Sequence, residues 1–291
     1  MQAELVQTTT SDGIALDGAF FAPQEAASLG QPVEAVLLVH GSGGNFYGGL
    51  MPPLAARFRD DGYAVASFNT TGHGLVWGAP GRFFGNAHEI LDRCRIDLDA
   101  AIGWLAERGY RRIGILGHSL GAVKVVYYQA HVQDPRVTAV ISVSPVRLSH
   151  SYYLTTEEGD EHERNYQQAK ELVESGQPDA LLEVTFPMPH LFSAKAYIDK
   201  HGPEERYDLL RYTDSVRCPL FIIAGSLETH PRLRDFAQDM YNTVQNNPMT
   251  HLDIVEDADH GWTEMRDQLG DVVLEWVGRL QPAEAPALGD G

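Results

Sequence analysis

The chain alternates between short apolar runs and longer segments in which apolar residues recur every three or four positions. The runs are four to seven residues long, rich in β-branched side chains and bounded by Gly, Pro, Asn or His. Such runs are typical of strands that are buried on both faces of a sheet. The predicted strands are Ala35–Val39, Tyr63–Phe68, Ile113–Leu116, Val137–Val143, Leu220–Ala224 and Leu252–Val255.

The segments between these strands have helical periodicity. Apolar residues recur at steps of three and four between Leu91 and Leu105, and again between Leu269 and Leu280. Strand–helix alternation predicts an α/β fold, with a mostly parallel sheet covered by helices on both faces. Two opening segments are expected to add an antiparallel hairpin at the sheet edge, Glu4–Thr9 and Ile14–Phe21.

One long segment, from residue 147 to about 217, has no buried-strand run. Seventy residues between two strands exceed an ordinary connection and indicate an inserted unit. Three amphipathic patches predict helices there, at His162–Glu174, Ala194–Lys200 and Glu204–Tyr212. We therefore expect residues 1–146 and 218–280 to form the core domain, residues 147–217 a helical cap, and residues 281–291 a disordered tail.

Composition narrows the functional classes. The chain has 291 residues, with 40 acidic and 22 basic side chains, a formal charge of −18 and a pI of about 4.9. This charge disfavours binding to nucleic acid and to anionic membranes. No apolar stretch reaches the length of a membrane span, and the N-terminus lacks the features of a secretory signal, so a cytoplasmic location is expected.

The segment Gly117-His118-Ser119-Leu120-Gly121 carries the strongest chemical signal. It follows the strand Ile113–Leu116 directly and precedes a helical segment. In this context G-x-S-x-G predicts a strained turn that raises the hydroxyl of Ser119 above the sheet. The following helix N-terminus offers unpaired N–H groups to a developing negative charge.

A serine nucleophile needs a base and an acid that orients the base. Glu228 follows the strand Leu220–Ala224, and His260 lies on a loop before the last helix. The carboxyl ends of the strands form the ligand-binding edge of an open α/β sheet, so Ser119, Glu228 and His260 are expected to meet there. Their chain order matches the Ser–acid–His order of α/β-hydrolases. We predict Ser119 as nucleophile, His260 as general base and Glu228 as its partner.

Two backbone N–H groups are expected to stabilise the oxyanion. One belongs to Leu120, the residue after the nucleophile. The other is assigned to Ser42, within the glycine-rich segment His40-Gly41-Ser42-Gly43-Gly44 after the strand Ala35–Val39. Glycines in this loop allow the backbone to approach the substrate closely.

These motifs resemble those of the α/β-hydrolase superfamily along almost the whole chain. They are HGSGG after one strand, Gly72-His73-Gly74 after the next, GHSLG after the third, and Glu228 and His260 at the later positions. The resemblance implies a doubly wound sheet of about eight strands with a helical cap, and no cofactor. GHSLGAVKVVYY and the helix before it are also similar to siderophore-esterase-like members. The segment Gly72-His73-Gly74 corresponds to a structural turn of the superfamily, so no catalytic role is assigned to His73.

Three sets of residues have more than one interpretation. The acid position of the superfamily more often carries Asp, so Asp235, Asp257 and Asp259 are alternatives to Glu228. His40, His73, His118 and His260 have no recognised metal-ligand spacing, and no metal site is predicted. Cys94 and Cys218 are expected to be inert buried thiols.

The expected function is hydrolysis of an ester-type bond in a small to medium substrate, through an acyl-enzyme on Ser119. The bond is a carboxylic ester, thioester, lactone or amide. A non-hydrolytic lyase or a ligand-binding protein of the same fold is the alternative, since fold alone does not determine function. The expected partner is a small molecule, and the sequence leaves the oligomeric state open.

Overall fold

The computed structural model describes residues 2–23 and 31–281. Its strands are β1 Glu4–Thr9, β2 Ala15–Phe21, β3 Ala35–Val39, β4 Ala64–Phe68, β5 Trp77–Ala79, β6 Arg82–Phe84, β7 Ile113–His118, β8 Val137–Val143, β9 Leu181–Val184, β10 His190–Ser193, β11 Leu220–Gly225 and β12 Thr250–Val255. Its α-helices are α1 Met51–Asp60, α2 Arg93–Glu107, α3 Leu120–Val132, α4 His150–Tyr153, α5 Gly159–Glu174, α6 Ala194–His201, α7 Pro231–Arg234, α8 Phe236–Val244 and α9 Arg266–Gly278. Three short 3₁₀ turns complete the described elements, at Asn86–His88, Leu209–Arg211 and Thr213–Ser215.

The central sheet has eight strands in the order β1-β2-β4-β3-β7-β8-β11-β12. Neighbouring strands from β4 to β12 are all parallel, whereas β1 pairs antiparallel with β2, and β2 antiparallel with β4. The prediction of a mostly parallel α/β sheet with an edge hairpin is therefore confirmed. From β3 the chain passes to β4 on one side and then crosses to β7 on the other. The loops after β3 and β7 consequently flank a topological switch point, the usual position of a ligand site.

Apolar side chains at alternate positions of the strands point to opposite faces of the sheet and pack into two separate hydrophobic cores. On one face Leu37 packs in a cluster with Leu98 of α2 and Val123 of α3. On the other, Leu38 packs in a cluster with Phe58 of α1 and residues of α9. Burial of both faces explains why these strands appear in the sequence as continuous apolar runs.

The long insertion contains more than helices. Helices α5 and α6 match two of the predicted patches, but Glu204–Tyr212 is not an α-helix, and that prediction is wrong. Turns occupy this segment instead, with Tyr207 fully buried and the Asp208 carboxylate accepting from Leu210 N–H. The hairpin β9–β10 was not predicted, because only alternate residues of β9 are buried.

Several predictions concern the chain ends and the boundaries of the cap. The predicted disordered tail at residues 281–291 lies, apart from residue 281, outside the described residues. Within residues 2–23 and 31–281, no helix has the length and apolar composition that crossing a membrane requires. Assignment of residues 147–217 as a cap is a proposal, developed below.

Candidate active site

Ser119 stands on a tight turn between β7 and α3. Its backbone has φ 58° and ψ −119°, a region that residues with a side chain rarely adopt. The flanking glycines are required by close packing: a Cβ atom on Gly117 would lie 2.0 Å from Gly121 O, and one on Gly121 would lie 2.2 Å from Val39 O. Contacts with α3 and β3 therefore leave no room for side chains on either side of Ser119, and the turn holds its hydroxyl at the carboxyl edge of the sheet.

Ser119, His260 and Glu228 form a continuous hydrogen-bonded series. His260 Nε2 lies 3.1 Å from Ser119 Oγ, and His260 Nδ1 lies 2.7 Å from Glu228 Oε2. With Nδ1–H donating to the carboxylate, Nε2 presents its lone pair to the serine hydroxyl. This geometry suits proton transfer from Ser119 to His260.

The carboxylate of Glu228 is held by more than the histidine. Its Oε1 accepts from Ser144 Oγ at 2.6 Å and from Gly225 N–H at 2.9 Å. Burial opposes ionisation, but the hydrogen bonds from His260, Gly225 and Ser144 outweigh it and keep the pKa of Glu228 below its ordinary value. Glu228 is therefore expected to be ionised at neutral pH, beside the His260 ring.

Ser144 is a further residue of the candidate site, and the sequence motifs do not indicate it. It follows β8 directly, has φ 48°, and accepts a hydrogen bond from Trp262 Nε1 at 2.9 Å while donating to Glu228. Trp262 is fully buried, so it supports the acid from behind and does not line the cavity. The one sequence feature that could have indicated Ser144 is its position at the carboxyl end of β8, the strand beside β11.

The carboxylates considered as alternatives to Glu228 are not placed on His260 Nδ1. The carboxylate of Asp235 pairs with Arg234, and that of Asp259 accepts from Thr263. Asp257 is exposed, and its backbone N–H donates to Ser226 Oγ. Among the described residues, Glu228 is the carboxylate placed on His260 Nδ1.

A second histidine fixes the loop that carries His260. His118 Nε2–H donates to His260 O at 2.7 Å. Burial and the neighbouring His260 lower the pKa of His118 to about 4, so this ring remains neutral and keeps its donor role. Gly225 permits the acid and histidine loops to pack, since a Cβ there would lie 2.1 Å from Ala258 O.

The loop after β3 passes directly over the nucleophile. A Cβ atom on Gly41 would lie 3.2 Å from Ser119 Cβ, which places the neighbouring Ser42 at the cavity wall. Leu120 is the first residue of α3, so its N–H has no acceptor within the helix. Neither the Ser42 nor the Leu120 N–H has a backbone acceptor in the described chain.

His40 and His73 have structural partners. His40 Nε2 accepts from Thr70 N–H at 3.0 Å, and burial lowers its pKa to about 3. His73 Nδ1 lies 2.9 Å from Thr70 O. No group of three or more metal-ligating side chains occurs within residues 2–23 and 31–281. Burial raises the pKa of Cys94 well above its ordinary value and that of Cys218 to about 12.

Ser119 and His260 open into a cavity of about 480 Å³. Core residues Val146 and Leu233 form part of its apolar wall. The insertion contributes Phe192 and the buried Lys200. The volume falls in the usual range for small-molecule sites.

A family model described as serine aminopeptidase, S33, matches residues 30–176, slightly more than half of the chain. The chain belongs to this serine aminopeptidase S33 family. The S33 family consists of α/β-hydrolases, so the superfamily assignment made from the motifs is confirmed, and membership supports a hydrolase acting on a small molecule.

Solved structures agree with the S33 assignment at the level of fold. The α/β-hydrolase GrgF from Penicillium sp. sh18 superposes with a TM-score of 0.70 at 16% identity, covering 96% of this chain and 99% of that one. Est1E from Butyrivibrio proteoclasticus gives 0.64 at 14% identity, covering 95% and 97%. The Pyrococcus furiosus esterase Pf2001 gives 0.59 at 21% identity, covering 95% and 93%. No curated protein sequence matches the chain.

Proposed function

We propose that the protein is a serine hydrolase that cleaves an ester-type bond of a small to medium substrate through an acyl-enzyme on Ser119. The observation that carries the proposal is the series Ser119–His260–Glu228, with separations of 3.1 and 2.7 Å, at the mouth of the cavity. Carboxylic esters, thioesters and lactones are the expected substrate classes.

In the proposed first half-reaction, Ser119 Oγ attacks the substrate carbonyl while His260 Nε2 takes its proton. The tetrahedral oxyanion accepts hydrogen bonds from the N–H groups of Leu120 and Ser42. His260 then returns the proton to the departing alcohol or thiol, which leaves the acyl group on Ser119. Throughout, Glu228 stabilises the imidazolium.

In the second half-reaction His260 removes a proton from water, which attacks the acyl carbon. Collapse of the second tetrahedral intermediate releases the carboxylic acid and returns the proton to Ser119.

The insertion at residues 147–217 acts as a cap in this proposal. Its contribution of Phe192 and Lys200 to the cavity wall supports that role, because it limits the space around the nucleophile.

The cavity favours ester substrates without an α-ammonium group over the aminopeptidase substrates that the family description names. An aminopeptidase must bind the positively charged amino terminus of a peptide. Among the described residues that line the cavity there is no Asp or Glu, whereas Lys200 and Arg232 are present. A substrate cation would therefore meet like charges, a juxtaposition that costs several kcal/mol.

The test compares two esters with the same leaving group, 4-nitrophenyl hexanoate and 4-nitrophenyl 2-aminohexanoate, which differ only in the α-ammonium group. We expect kcat/KM for the hexanoate to be higher by at least about tenfold, equivalent to about 1.4 kcal/mol. Release of 4-nitrophenolate above the uncatalysed rate is the readout, with Ser119→Ala as the blank. Preference for the amino ester would identify an aminopeptidase instead.

A further inference from the structure

The cavity beside Ser119 differs in charge from the protein as a whole. The chain carries 40 acidic against 22 basic side chains, yet the described cavity wall includes Lys200 and Arg232 and no acidic residue. His201 lies in the same wall. The buried ammonium group of Lys200 calls for an anionic partner, because buried charges are normally paired.

Lys200 is 4% exposed and lacks a counterion of its own. Its Nζ lies 3.3 Å from Glu89 Oε2, while Lys124 Nζ lies 2.5 Å from the other oxygen of the same carboxylate. Two ammonium groups thus share one negative charge. Burial lowers the pKa of Lys200, as expected for a cation that is incompletely compensated.

Two further carboxylates near this cluster lie within ion-pair distance of arginines, and one of these arginines, Arg93, is shared with Asp12. Asp97 lies 3.5 Å from the guanidinium of Arg93, and Asp199 lies 3.6 Å from that of Arg206. Among the described residues, Glu89 is the carboxylate within ion-pair distance of both lysines. At this pair of contacts the lysines bring one positive charge more than the carboxylate balances, next to the cavity.

Arg232 and His201 add unpaired donors at the same wall. In the described chain the Arg232 guanidinium has no ion pair, and its buried Nε has no hydrogen-bond acceptor. His201 is 2% exposed, and neither of its ring nitrogens has a partner among the described residues. Buried polar groups are nearly always hydrogen-bonded, so the His201 ring and the buried Arg232 Nε at one cavity wall point to a polar ligand.

We infer that Arg232, Lys200 and His201 form a subsite for a carboxylate on the substrate, distinct from the carbonyl that Ser119 attacks. A planar guanidinium suits bidentate binding of a carboxylate, and the neutral His201 ring donates one further hydrogen bond. Val146, Leu233 and the other apolar residues of the wall accommodate a hydrocarbon chain between the two groups. This inference rests on the proposed hydrolase function and specifies its substrates as carboxylate-bearing esters.

The test uses matched 4-nitrophenyl esters of linear six- to ten-carbon acids whose far end is a carboxylate, a carboxamide or an ammonium group. A second set places the carboxylate on the alcohol, as in the butyryl ester of 4-hydroxybenzoate beside that of 4-hydroxybenzamide. In one of the two sets we expect kcat/KM to favour the carboxylate over its carboxamide match by at least about tenfold. Ammonium esters should be the poorest.

Two arginines of α7 provide matched variants. Arg232→Gln is expected to reduce the carboxylate-to-carboxamide ratio of kcat/KM at least about tenfold, and a KM increase should account for most of it. Arg234→Gln is the control, because Arg234 is exposed, pairs with Asp235 and is not part of the cavity wall. It should leave the ratio unchanged.

The outcomes separate this inference from the hydrolase proposal. Ser119-dependent hydrolysis of the carboxamide esters without any carboxylate preference overturns the subsite and leaves the hydrolase proposal standing. A preference that persists in both Arg232→Gln and Lys200→Met also overturns it. If no ester of either set is hydrolysed, the hydrolase proposal itself is contradicted.

Discussion

Replacement of His260 by alanine is expected to reduce kcat for ester hydrolysis by about a million-fold, the size seen when the base of a serine protease is removed. The physical reason is that Ser119 then has no acceptor for its proton and the leaving group no donor. Initial rates of 4-nitrophenyl hexanoate hydrolysis, measured at equal concentrations of folded protein, provide the test.

Two further variants sharpen this experiment. The double variant Ser119→Ala/His260→Ala should be no slower than either single variant, because residues of one catalytic unit lose their contribution together. His131→Ala is the matched histidine control, since His131 is exposed on α3 and outside the cavity wall. A His260→Ala protein that retains more than about one per cent of the activity would contradict the assigned base.

The second large effect is expected at Glu228. Glu228→Gln should lower kcat by about four orders of magnitude, the size seen when a triad acid becomes an amide. The glutamine presents no negative charge to His260 Nδ1 and allows the wrong tautomer, so Nε2 would carry the proton. The readout is again nitrophenolate release, with Glu256→Gln, an exposed glutamate after β12, as the control.

The variant Glu228→Asp distinguishes the effect of the negative charge from the effect of side-chain length. It retains the carboxylate but withdraws it by one methylene from a histidine that now lies 2.7 Å away. We expect its activity to lie between those of Glu228→Gln and the parent protein. Glu228→Gln activity equal to that of the parent would instead transfer the acid role to another carboxylate, such as Asp259.

Most of the central sheet and the turn at Ser119 can be predicted from short segments of the sequence. Each strand from β3 to β11 of the central sheet is buried on both faces, so its apolar run is visible without knowledge of the partners. The elbow at Ser119 is equally local, because Gly117 and Gly121 are required by contacts within the strand–turn–helix unit and the adjacent β3. Order along the chain then suffices to bring Glu228 and His260 to the same edge.

Features that depend on side-chain convergence were not predictable in this way. Ser144 contacts Glu228 across 84 positions of the chain, and no periodicity marks it. The hairpin β9–β10 buries only alternate residues on one strand and has no long apolar run. Glu204–Tyr212 has helical spacing, but Gly202 and Pro203 precede it and Tyr207 is drawn into the core, so turns form instead.

The charge of the cavity is the clearest example of such convergence. Lys200 comes from α6 in the insertion, whereas Arg232 lies on α7 after the acid loop. A net charge of −18 predicts repulsion of anionic ligands at the surface. The cavity wall instead carries Lys200 and Arg232 and, among the described residues, no Asp or Glu. The net charge of the chain does not determine the charge of the cavity, because only a few side chains line it.

The proposed hydrolysis depends on the nucleophilicity of Ser119. A fluorophosphonate probe tests it most directly, since Oγ displaces fluoride and forms a stable phosphonyl–serine bond without any assumption about the natural substrate. We predict one adduct per chain, located by peptide mass spectrometry on Ser119 and absent from Ser119→Ala. An unlabelled, folded parent protein, or equal labelling of Ser119→Ala, would show that Ser119 is not the nucleophile.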